Sequence, residues 1–150
     1  MRMEPITRRG VLAALTGAAL AGTLGGCGLF DEEPTTAPPP HPLLQYLTST
    51  VALAQVYEAS LAANPELAGR YGVIRDNHWA HADALATVIR KPAPARGPGT
   101  AQAVDKAGLV ASEQEAKKSA YEGALTIAGQ YAGLLGSIAA CRTTHVEGLA

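Results

Sequence analysis

Five residues in the chain have the types and spacing of a buried polar centre: His78 and His81 are three apart, Arg142 and His145 are three apart, and Glu113 stands between the two pairs. Residues three apart on a helix occupy neighbouring rungs of one face. Two imidazoles with one carboxylate form a donor set favoured by iron, and zinc accepts it as well. His81, Glu113 and His145 can supply that set, with His78 beside them. Arg142 offers a competing chemistry, because a guanidinium facing Glu113 places fixed positive charge where a metal would otherwise neutralise the carboxylate. On that reading Glu113 and Arg142 form a buried ion pair, and the histidines are hydrogen-bonded core residues.

These residues need helices to bring them together, and the apolar pattern supplies four. Leu44, Leu47, Val51, Ala54, Glu58 and Leu61 alternate at spacings of three and four, the mark of one helix face. Asn64-Pro65 reads as an N-cap followed by proline in the first turn of a second helix. Its face carries Leu67, Tyr71, Ile74, His78, His81, Leu85 and Val88. Pro92, Pro94, Gly97, Pro98 and Gly99 make residues 91–100 a long internal loop. A third face follows through Leu109, Glu113, Ala116, Ala120, Ala124 and Ile127, with Gly129 in the turn that ends it. The fourth presents Leu135, Ile138, Arg142, His145 and Leu149. No sustained period-two alternation marks a strand. The expected fold is all-α, an up-down-up-down four-helix bundle over residues 43–150.

At a rise of about 1.5 Å per residue, side-chain heights follow from the distance to each turn. Glu113 and His145 are both sixteen residues from Gly129 and share a level. Counted the same way, His81 shares it too, opposite Thr48 of the first helix. Glu58 falls in a different layer, where Arg70 is its expected partner. Cys141 is four residues from His145, within reach on one helix, although a lone cysteine among alanines is usually a small core residue.

The front of the chain reads as an address. Arg2, Arg8 and Arg9 precede an apolar run from Val11 to Leu24, and Leu24-Gly25-Gly26-Cys27 has the form of a lipobox. Residues 1–26 are therefore expected to be a cleaved signal peptide, and Cys27 an acylated first mature residue. Thr7-Arg8-Arg9-Gly10-Val11-Leu12 resembles the twin-arginine export motif, with the general secretory route as the alternative. Asp31-Glu32-Glu33 and Pro34, Pro38, Pro39, Pro40 and Pro42 make residues 27–42 a tether, since proline removes amide donors and fixes an extended backbone. Cleavage leaves 124 residues with 9 Lys plus Arg against 12 Asp plus Glu, a net charge of −3. With no basic stripe and no interleaved aromatics, nucleic acid is not an expected partner. Acylation of Cys27 leaves Cys141 as the only thiol, which excludes an internal disulfide and a cysteine-rich metal site.

The two helical hairpins, the stretch Asp76-Asn77-His78-Trp79-Ala80-His81-Ala82-Asp83-Ala84-Leu85 and the ending Ser137-Ile138-Ala139-Ala140-Cys141-Arg142-Thr143-Thr144-His145 resemble the ferritin-like domains of actinobacterial exported proteins of unknown function. The resemblance covers residues 43–149. Di-iron members of that superfamily use one Glu from each of two helices and Glu-x-x-His from each of the other two. Here His78-x-x-His81 and Arg142-x-x-His145 stand where the Glu-x-x-His pairs belong, and the first helix offers Thr48 or Ala52 in place of a glutamate. Only His81, Glu113 and His145 keep the ligand types, so the resemblance implies a degenerate di-iron site.

The sequence thus points to a lipoprotein on the outer face of the cell membrane that carries a non-catalytic binding or envelope-associated module, with the membrane as partner through its lipid and the cofactor left open between none and iron or zinc. The alternative is an iron- or zinc-binding protein, with redox activity open to it, that uses His81, Glu113 and His145. No glycine-rich phosphate loop follows a strand, and no serine or cysteine has a histidine placed by a recognisable motif.

Overall fold

A computed structural model of the chain describes residues 38–150. Cys27, Arg8, Arg9, the signal peptide and most of the tether lie outside the described residues. Among the described residues the chain is all-helical, with α1 Leu44–Ala63, α2 Pro65–Val88, α3 Lys106–Thr126 and α4 Gly129–Leu149. No strand occurs among them, and no helix is long and apolar enough to cross a membrane. α1 packs on α2 and α3 on α4, with further contacts between α1 and α3 and between α2 and α4.

The helix ends follow local chemistry. Pro65 takes the first position of α2, where its missing N–H costs no helical bond. Asn64 does not cap α2 with its side chain; its Nδ2 donates back to the Ser60 carbonyl at 3.0 Å, so it closes α1 instead. Asp105 caps α3 by accepting from the Gly108 N–H at 2.8 Å. Gly129 is the first residue of α4 and not part of a glycine turn; Ile127 and Ala128 make the connection. In the long loop, Gly97 and Gly99 have φ of 121° and 54°, a region open to glycine and costly for other residues. His41, placed in the tether by sequence, belongs to the folded unit: its Nε2 lies 3.1 Å from the Tyr131 hydroxyl, and its carbonyl accepts from Leu44 N–H.

The direction of the helices differs from the up-down-up-down expectation. Gly123 near the end of α3 sits so close to the Tyr46 ring that a Cβ there would collide with it, whereas Val104 just before α3 donates to Ser60 Oγ at 2.9 Å near the end of α1. α1 and α3 are therefore antiparallel. α4 runs with α1, since His41 meets Tyr131 and Thr50 meets Arg142. α2 thus runs with α3, an up-down-down-up order. The reason is the loop after α2, which returns along the bundle before α3 begins, where a short connection would have forced an antiparallel neighbour.

Two apolar clusters fill the interior. One includes Leu43, Leu47, Trp79, Leu85, Leu135 and Ile138; the other includes Leu53, Tyr57, Leu61, Tyr71, Ile74, Leu109 and Leu149. Between them along the helices lie the buried polar residues His78, Glu113, Arg142 and His145. The α4 face is the one expected: Leu135, Ile138, Arg142, His145 and Leu149 are all buried. The α1 face is turned by comparison. It buries Leu47, Thr50, Ala54, Tyr57 and Leu61, while Thr48 and Ala52 face solvent.

Candidate functional site

All four helices meet at the Glu113 carboxylate, which is 0 % exposed. Its Oε1 accepts from the Tyr57 hydroxyl of α1 at 3.0 Å and from His78 Nε2 of α2 at 2.5 Å. The proton belongs on the imidazole, because an ionised carboxylate has none to donate. His145 Nδ1 of α4 lies 3.3 Å from the same oxygen, near it but not aligned for a hydrogen bond. The other nitrogen of His145, Nε2, is held from outside by Asn77 Nδ2 at 3.1 Å and Cys141 Sγ at 3.3 Å. The expected reach from Cys141 to His145 is therefore realised.

The structure brings His78, Glu113 and His145 together: each offers one donor atom within 4.8 Å of the others. His81, expected in that position, stands further out and is only half-buried. Its ring centroid is 6.3 Å from that of His78 and 6.5 Å from that of His145. The expected Glu113–Arg142 pair is not a contact ion pair. Arg142, buried at 2 % exposure, donates instead to the Ala116 carbonyl at 2.9 Å and to Thr50 Oγ1 at 2.8 Å. The turned α1 face explains this, since Thr50 faces the core and offers the guanidinium a neutral acceptor. Glu58 is not paired with Arg70. It accepts from Trp79 Nε1 at 3.0 Å and lies 3.7 Å from Arg75, while Arg70 reaches the Gly148 carbonyl.

Tyr57 and Thr50 belong to the site and were not found by the sequence reading, although Leu47, Thr50, Ala54, Tyr57 and Leu61 alternate as regularly as the face chosen. In simple height counting Tyr57 also lies beyond the level of its contacts, toward the C-terminal end of α1. Helical side chains lean toward the helix N-terminus, so a long tyrosine spans the difference.

Burial lowers the pKa of His78 and of His81, the latter to about 4, with the charge of Arg142 among the lesser causes. For Glu113, burial acts to raise the pKa, but the close approach of His145 and the hydrogen bond from His78 outweigh it and hold the group at about 2. At neutral pH Glu113 and Arg142 are thus charged, with His78 and His81 neutral. A histidine whose folded pKa lies below its unfolded 6.5 binds fewer protons when folded, so its contribution to stability is lost as pH falls. Stability in EDTA should therefore decline between pH 6.5 and about 4, above the range in which Glu113 titrates. Urea midpoints across that window measure it, and a flat profile would show that the histidines are not held neutral.

Comparison with protein-family models finds no match, and comparisons with curated proteins and with solved structures find none either. The site is therefore read from its own geometry.

Proposed function

We propose that this chain is an exported lipoprotein, anchored through Cys27, whose ferritin-like helical domain is a non-catalytic binding module with its site at Glu113. The observation that carries the reading is the closure of that centre: Glu113, His78 and His145 are 0 %, 0 % and 4 % exposed. An organic substrate has no way to the carboxylate without separating helices. A groove between α3 and α4, lined by Lys117, Tyr121, Gly136 and Thr143, is formed by other residues. Oxygen chemistry at two irons calls for carboxylates from several helices, and this centre has one. The long crossover between α2 and α3 supports the ferritin-like reading, because folds of that type carry one such connection. The lipobox and the twin-arginine-like motif support export to the outer face of the cell membrane.

Two measurements test the proposal. Cys27→Ser should abolish acylation and release the protein from the membrane fraction; retention there would overturn the anchor. In air, the protein should not accelerate iron(II) oxidation beyond the buffer rate. Acceleration that disappears in Glu113→Gln would overturn the non-catalytic reading.

A further inference from the structure

Five buried side-chain atoms in the core lack hydrogen-bond partners: Nε of Arg142, which cannot ligate a metal, and four of ligand type, Nδ1 of His78, Nδ1 of His81, Nδ1 of His145 and Oε2 of Glu113. Buried polar atoms are almost always paired, so four of ligand type in one centre call for a common explanation. The opposite atoms of three of these residues are engaged. His78 Nε2 bonds Glu113 Oε1, and His145 Nε2 is held by Asn77 and Cys141. The bonds from Asn77 and Cys141 fix the His145 ring as outer partners of a metal ligand do, while His78 and Glu113, which bond each other in the metal-free centre, would part to take an ion between them.

We propose that this centre binds one zinc ion, with His78, His145 and Glu113 as ligands and His81 closing the fourth position. The inference rests on the reading of the Glu113 centre as a binding site and names its ligand. Two imidazoles on one tetrahedral zinc, with Zn–N of 2.0–2.1 Å, place their ring centroids about 5 Å apart. The His78 and His145 centroids are 5.1 Å apart, with planes at 83°. His81 lies roughly 1 Å further out than this spacing and, being half-buried, has room to turn inward. Three histidines with one carboxylate and no open position match a closed four-coordinate zinc site better than an iron site, which keeps positions for oxygen. A single carboxylate, with the Arg142 cation buried nearby, limits the centre to one ion.

The test uses the full chain purified in detergent, loaded with zinc and dialysed. About one zinc per chain is expected, and cobalt(II) in its place should give the intense visible bands of tetrahedral coordination. Octahedral cobalt bands, or a folded, helical protein that retains no zinc after loading and dialysis, would overturn the proposal. His81→Ala, at the most exposed ligand, should retain the fold and lower zinc affinity by at least roughly tenfold, since loss of even an outer partner costs about 10–100-fold. Arg142→Met should tighten zinc binding by at least roughly tenfold through removal of a neighbouring charge. Unchanged affinity in both variants would overturn the proposal. Zinc absent without iron oxidation removes this inference alone; iron oxidation with zinc still bound removes the non-catalytic reading alone.

Discussion

Glu113→Ala should destabilise the metal-free protein by about 3–5 kcal/mol, the cost of leaving a buried charge without its counterpart. The substitution removes the acceptor shared by Tyr57 and His78 and the nearest negative charge to Arg142, which remains a buried cation. It also opens a cavity between the two apolar clusters. A domain of this size has roughly 5–15 kcal/mol of stability in total, so the variant should sit near the edge of folding. Glu113→Gln keeps one oxygen acceptor and most of the volume, and should recover part of the loss. Adding Arg142→Leu to Glu113→Ala should cost less than Arg142→Leu alone, because the cation is already uncompensated. Urea midpoints in EDTA, followed by helical circular dichroism, measure all four. A loss below about 1 kcal/mol for Glu113→Ala would mean that water or a rearranged neighbour replaces the carboxylate.

Trp79→Ala should cost about 3–5 kcal/mol for a different reason, the loss of a large apolar surface at the heart of a packed cluster. Trp79 is 1 % exposed and packs in the cluster that holds Leu43, Leu47, Leu85 and Leu135. Its indole also donates to Glu58 at 3.0 Å. Trp79→Phe keeps much of the ring and removes the donor, so its smaller cost separates packing from the hydrogen bond. As the chain has one tryptophan, fluorescence reports unfolding of the parent protein, and circular dichroism compares the variants. Equal losses for the two substitutions would assign the effect to the Glu58 bond.

The parts of the fold written as apolar periodicity were legible in the sequence. The α4 face was read residue by residue, because every member is either apolar or one of two conspicuous polar residues. The level of Glu113 with His145 also followed, since the short α3–α4 connection makes counting from the turn reliable. The order of the helices did not follow. A loop rich in proline and glycine announces its length but not whether it turns back at once or runs along the bundle. The α1 face was missed for a physical reason: Thr50 and Tyr57 look like solvent-facing positions in a hydropathy pattern, yet each buries a hydroxyl against a core partner. That turn of about one residue puts Thr50 and Tyr57 where Val51 and Glu58 were expected, and gives Arg142 an unforeseen acceptor. His78 replaced His81 beside Glu113 because residues three apart differ by roughly 60° around the axis, finer than spacing alone resolves.

The meeting of four helices at one carboxylate also bears on how the chain reaches its native state. Each hairpin, α1 with α2 and α3 with α4, is built from contacts near in sequence and can form early. The centre cannot, because Tyr57 and His78 come from one hairpin and Glu113, Arg142 and His145 from the other. It is completed when the two hairpins dock, so its bonds belong to the last step of folding and the first of unfolding. Changes at Glu113 should thus leave the folding rate nearly untouched and speed unfolding. The polar core acts as a latch whose strength sets how long the closed bundle persists.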